Sequence, residues 1–124
     1  MNKRDKEVEQ LDLADNLTKN IAKIRKKIEA IENEGEVAEP GCTLMRYLAG
    51  GRKKGYWYYK LQATYPLFPT KSGKLSKYKH LGKGGSKAHI EALMQISRRN
   101  QIDALSRTLD SLLQSLSDLV EKQQ

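Results

Sequence analysis

The decapeptide Gly51–Lys60, GRKKGYWYYK, packs four cations and four aromatic rings into ten residues. Lysine and arginine neutralise phosphates and release condensed counterions, while tyrosines stack on bases or hydrogen-bond to a sugar-phosphate backbone. The pairing of charge with rings therefore points to an anionic, ring-bearing partner. The surrounding segment points the same way. Residues 1–39 hold 8 Lys/Arg against 10 Asp/Glu, residues 40–90 hold 11 against none, and residues 91–124 hold 4 against 5. The formal net charge of +8 thus originates in the middle of the chain, which also carries every aromatic residue: Tyr47, Tyr56, Trp57, Tyr58, Tyr59, Tyr65, Phe68 and Tyr78. A stretch of 51 residues without one carboxylate is the footprint of an anion-facing module.

Two constellations carry that expectation. The first comprises Tyr56, Tyr58, Lys60, Lys77 and Lys79 on one strand face, fringed by Arg52, Lys53 and Lys54 in one turn and Lys71 and Lys74 in the next. The bland reading is a small tyrosine-rich sheet solvated by lysines. The second is Gly82-Lys83-Gly84-Gly85-Ser86, running into a helix whose first N–H groups and dipole suit a phosphate. Its competitor is a plain turn with a capping serine, and the spacing of a Walker loop is absent. Arg98 and Arg99 either extend the phosphate contacts or sit on a solvated helix face.

Catalytic chemistry is not expected. Cys42, His80 and His89 lack the spacing of zinc ligands, no Ser/His/Asp arrangement rises above chance, and 124 residues leave little room for a buried active site. No cofactor or small-molecule substrate is implied. A single cysteine excludes an internal disulfide, the N-terminus MNKRDKEVEQ lacks a signal-peptide core, and no run approaches the length of a membrane span. The expectation is a cytoplasmic protein with no membrane partner.

Positioning these residues requires a sheet and something to hold it. Cys42–Leu48, Tyr56–Ala63 and Leu75–Leu81 read as strands separated by AGGRKKG and YPLFPTKSGK, an antiparallel meander. Alternation sends Trp57, Tyr59 and Leu61 to one face and Tyr56, Tyr58 and Lys60 to the other. In the third strand it opposes Leu75, Lys77, Lys79 and Leu81 to Ser76, Tyr78 and His80. Ser86 is an N-cap for a helix whose Ile90, Leu93, Met94 and Ile96 are expected to cover the packed face. Helical stripes flank the sheet. Ala14, Leu17, Ile21, Ile24, Ile28 and Ile31 recur at alternating spacings of 3 and 4, as do Ile102, Leu105, Leu109, Leu112, Leu116 and Leu119, with Leu113 and Val120 widening the second stripe. The apolar register slips across SRRNQ, and one continuous helix is the favoured reading of that slip.

In YWYYKL, SGKLSKYKHLGKG and SKAHIEALMQIS, the succession of a ring-rich strand, a Gly-Lys turn, a third strand ending in Leu-Gly and a capped helix resembles the arm-type DNA-binding domains of phage-type integrases. It is similar also to small tyrosine-rich mobile-element proteins. The resemblance covers residues 42–97. It implies a three-stranded sheet that enters the major groove with Tyr56, Tyr58, Lys60, Lys77 and Lys79 near the DNA, and, with no recombinase domain following, binding without cleavage.

Together these readings predict an α+β protein. A helix over 1–34, a basic three-stranded antiparallel sheet over 35–85 and a helical segment over 86–124 are expected, the terminal helices forming an antiparallel stalk that self-associates into a homo-oligomer. The expected function is double-stranded DNA binding by an accessory or regulatory protein. The alternatives are a module for RNA or single strands, and a helical protein-interaction adaptor whose basic head is merely solvated.

Overall fold

The computed structural model describes residues 2–49 and 55–121. The order of elements is α1 (Lys3–Glu34), β1 (Thr43–Ala49), β2 (Tyr56–Gln62), β3 (Phe68–Pro69), β4 (Leu75–Ser76), β5 (Tyr78–Lys83) and α2 (Lys87–Glu121). The protein is α+β, as expected, with two long helices flanking a three-stranded antiparallel sheet of order β1-β2-β5. It divides into two compact units, one of Met1–Glu34 with Gln101–Gln124 and one of Gly35–Asn100. The start of α2 therefore belongs with the sheet.

The helical unit follows the periodicity of its apolar residues. Ile21, Ile31 and Ile102 are buried and the other nine stripe residues are half-buried, whereas most of the positions between them are exposed. A row at this spacing lies along one side of a helix and is removed from water only by a neighbouring element. The two stripes supply that neighbour to each other within one chain, as the expected antiparallel pair. Asn2 caps α1, its side-chain oxygen accepting from the Asp5 N–H at 2.9 Å. Leu113 and Val120, expected to widen the buried face, are instead 36% and 45% exposed.

In the sheet unit β1 and β2 pair from Thr43 opposite Gln62 to Ala49 opposite Tyr56, and β2 pairs with β5. The core joins Ala38, Cys42, Leu61, Ala63, Leu81, Ala92 and Ile96, with Leu44, Tyr59, Leu67 and Phe68 packed against it. Two expectations need correcting. The third strand does not run unbroken from Leu75. It splits at Lys77, so that β4 pairs with β3 in a separate hairpin and β5 alone joins the main sheet. The split is stabilised locally, since the Ser76 hydroxyl accepts from the Tyr78 N–H at 3.1 Å and the Lys77 carbonyl accepts from the Ala63 N–H at 2.7 Å.

The second correction concerns α2, a single helix as favoured above. Ile90, Leu93 and Met94 do not cover the sheet and are 45%, 42% and 49% exposed. The row that packs is His89, Ala92 and Ile96, continued at the same spacing by Arg99. A small alanine lets the helix approach the sheet closely, and a pair of arginines ties down the segment that follows α1. Arg99 Nε donates to the Ala38 carbonyl at 2.7 Å and Arg98 Nη1 to that of Glu36 at 3.0 Å. Arg98 and Arg99 are thus engaged in holding the chain together. A Cβ at Gly35 would come within 2.8 Å of the Arg98 guanidinium carbon, so glycine there permits the close approach.

Candidate nucleic-acid interface

The open face of the sheet is built on β2, where alternation puts Tyr56, Tyr58 and Lys60 on the side away from Leu61. Antiparallel register adds Tyr47, directly opposite Tyr58, and His80, directly opposite Lys60. Tyr47 and Tyr58 lie with ring centroids 6.1 Å apart, and the Tyr47 hydroxyl is 3.0 Å from His80 Nδ1. The Lys60 ammonium sits over two rings, 5.3 Å from the centroid of Tyr47 and 4.6 Å from that of Tyr78. These are cation–π distances, at which the ring quadrupole helps to hold the charge in place.

Lys83 reaches the same face by an irregularity. Between Lys60 opposite His80 and Tyr59 opposite Gly82 the register shifts, so that Leu81 is an extra residue on β5. Such a bulge reverses the alternation beyond it. Gly82 adopts φ +87°, which a residue with a Cβ rarely takes. Leu81 stays in the core at 5% exposure, while Lys83 falls opposite Tyr58 with its ammonium 4.3 Å from the Tyr56 ring centroid. Without the extra residue Lys83 would point towards the helix.

Behind the sheet, Tyr59 stacks on His89 with centroids 3.8 Å apart and planes 17° from parallel. His89 Nδ1 accepts the Gly85 N–H at 2.9 Å, which requires that nitrogen to be unprotonated. Ser86 caps α2 as expected. Its Oγ accepts the His89 N–H at 3.3 Å and donates to the Leu81 carbonyl at 3.0 Å. The N–H groups of Gly84 and Ser86 go to the carbonyls of Trp57 and Lys83, at 2.9 and 3.1 Å. All three backbone donors expected to receive a phosphate at Gly84, Gly85 and Ser86 are therefore used inside the chain. The segment is a self-capping turn that fixes the position of Lys83.

The expected site residues do not all converge on one surface. Tyr56, Tyr58, Lys60 and Lys83 come together on the open face. Lys79 lies opposite Leu61 and borders a groove with Ala88, Glu91 and Gln95 of α2, so it is on the helix side of the sheet. Lys77, at the break between β4 and β5, borders a separate groove with Gly41, Thr43 and Thr64. Lys71 and Lys74 stand exposed at the tip of the β3–β4 hairpin, where the Thr70 hydroxyl donates to the Lys74 carbonyl at 2.6 Å. Arg52, Lys53 and Lys54 lie outside the described residues.

The separation of Lys77 and Lys79 from Tyr58 corrects the single face expected. On β5, Lys79 is two positions before Leu81 and opposite Leu61, so it shares the core side and cannot stand with Tyr58, while Lys77 stands outside β5 at the break, beside Gly41, Thr43 and Thr64. Three members of the open face went unassigned: Tyr47, Tyr78 and His80. Their signal lies in the register between strands, since β1–β2 pairing puts Tyr47 across from Tyr58 and β2–β5 pairing puts His80 and Tyr78 across from Lys60 and Gln62. On the reverse side Arg46 covers the Trp57 ring at 3.8 Å.

Among the described residues no group of three His, Cys, Asp or Glu side chains converges in a metal-binding geometry, and no helix is long and apolar enough to cross a membrane. Compared with protein-family models, curated proteins and solved structures, the chain has no match in any of the three. The geometry of its own residues is what the functional reading rests on.

Proposed function

We propose that this is a non-catalytic, homo-oligomeric double-stranded DNA-binding protein of accessory or regulatory type, cytoplasmic in keeping with its lone cysteine. Its working surface is the open face bearing Tyr47, Tyr56, Tyr58, Lys60, Tyr78, His80 and Lys83. The observation that carries the reading is the seating of two ammonium groups on rings of a sheet face drawn from a segment without a single carboxylate.

The same geometry favours duplex over single strands. Stacking on an unpaired base needs a bare ring face. Here Lys60 lies over Tyr47 and Tyr78, and Lys83 over Tyr56, so the face offers ammonium and hydroxyl groups, the donors that phosphates accept. We infer that the sheet docks in the major groove, as the resemblance to arm-type domains implies, with the lysines on the flanking phosphates.

The test is a salt titration of duplex affinity for Lys60→Ala and Lys83→Ala. Each lost phosphate contact should lower the slope of log K against log salt by about 0.9. Lys79→Ala, on the helix side, should change it less. An unchanged slope in the double variant Lys60→Ala/Lys83→Ala would remove the open face from the reading.

A further inference from the structure

The open face continues past the lysine and ring cluster. Gln62 is the next β2 residue on the side of Lys60, and it stands opposite Thr43 on β1, so both side chains extend that face to the far end of the sheet. There they border a groove of about 330 Å³ with Gly41, Ala63, Thr64 and Lys77, and no carboxylate lines it. Three of the chain's five threonines, Thr18, Thr70 and Thr108, donate their hydroxyls to backbone carbonyls. The other two, Thr43 and Thr64, have no such partner among the described residues, and both border this groove. The Gln62 amide and the Lys77 ammonium are likewise uncommitted within the described chain. Hydroxyl, amide and ammonium donors around one carboxylate-free groove are the set from which phosphodiester oxygens accept.

We propose that this groove is a second phosphate site, which holds the backbone of one DNA strand while Lys83, at the other end of the face, holds that of its complement. It rests on the duplex reading above and adds to it a site formed by Thr43, Gln62, Thr64 and Lys77. The spacing carries the assignment. Lys83 stands opposite Tyr58, and the Lys77 carbonyl is bonded to the Ala63 N–H, five residues further along the chain. At about 3.4 Å per residue, the two lysine positions are about 17 Å apart along the strand. The major groove is about 12 Å wide with a row of phosphates on either edge, so donors at this separation reach both rows at once. Tyr47, Tyr58 and His80 then lie between them, over the floor of the groove. A single strand offers one row only, so a face with donors at both ends suits duplex.

The test is a salt titration of duplex affinity with the full chain carrying substitutions at these exposed positions. Lys77→Ala should lower the slope of log K against log salt by about 0.9, and Lys77→Ala with Lys83→Ala by about 1.8, because the two lysines engage separate phosphates. Lys77→Arg should keep the original slope. Thr43→Val with Thr64→Val removes uncharged donors, and should weaken binding about tenfold with the slope unchanged. A Lys77→Ala slope that moves no further than that of Lys79→Ala, or a valine pair that binds as the unmodified chain does, would overturn the second site. If Lys60→Ala/Lys83→Ala still lowers the slope in that case, the open face stands without it. Slopes unmoved in every lysine variant would remove both.

Discussion

Replacing His89 by alanine should destabilise the sheet unit by about 3 kcal/mol, and replacing it by phenylalanine by about 1 kcal/mol. The difference follows from what each change removes. Alanine loses the acceptor for the Gly85 N–H, which is part-buried and contributes about 1 kcal/mol net. It also loses the stack on Tyr59, about 1 kcal/mol beyond area burial. The apolar contact of a ring only 9% exposed adds about 1 kcal/mol more. Phenylalanine keeps the last two and lacks only the acceptor. With an unfolding entropy of about 2.1 cal/mol/K per residue, 1 kcal/mol corresponds to about 4 °C in a chain of this length. Thermal unfolding followed by circular dichroism should thus show midpoints lowered by about 12 °C for alanine and about 4 °C for phenylalanine. Equal shifts in the two variants would show that the stack on Tyr59 and the apolar contact of the ring carry nothing, and an unshifted phenylalanine variant would show the same of the bond to Gly85. An alanine shift below about 4 °C would refute the whole assignment of His89 as the anchor of the turn bearing Lys83.

Other consequences can be measured alongside. Gly35→Ala should lower stability by about 1–2 kcal/mol in urea titrations, because the new Cβ displaces the Arg98 guanidinium from the Glu36 carbonyl; a neutral outcome would mean that contact is slack. Ile21→Asp puts a carboxylate at a position 5% exposed and should cost several kcal/mol, read as loss of helical signal on gentle heating, whereas Leu113→Asp should be tolerated far better in the monomer. Burial, reinforced by the nearby Glu39 carboxylate, raises the Cys42 thiol above its ordinary value of 9.0. The unfolded chain therefore ionises this thiol first, and the associated stability, complete below pH 9.0, is lost as pH rises through the higher folded value. Thiol reagents at pH 8 should modify native Cys42 far more slowly than the unfolded chain; equal rates would show that the site opens freely.

Much of the architecture was legible because it follows from periodicity. The twelve stripe residues are buried or half-buried, and the Ser86 cap, the β1–β2 hairpin and the continuity of α2 came from short-range rules. What escaped was set by contacts between elements. The packed row of α2 was obscured because one of its members is an alanine and another an arginine, while the bulkier Ile90, Leu93 and Met94 draw attention to the wrong side. The break at Lys77 depends on the two-residue strand Phe68–Pro69, too short to show a period. Lys83 reaches the ring face only through one extra residue at Leu81, and Gly82, which permits it, reads in sequence as an ordinary turn glycine. The open face was half visible. Tyr56, Tyr58 and Lys60 follow from alternation in one strand, whereas Tyr47, Tyr78 and His80 require the register between strands.

The central claim is that an open, carboxylate-free sheet face bearing ammonium groups and tyrosines binds duplex DNA. Its most direct test is equilibrium binding of labelled duplex DNA, single-stranded DNA and RNA to the full chain across a salt series. The account predicts the tightest binding for duplex, with log K falling linearly and steeply as log salt rises and a slope of about 0.9 per phosphate engaged. Preference for single strands, or no binding of any nucleic acid at low salt, would contradict it.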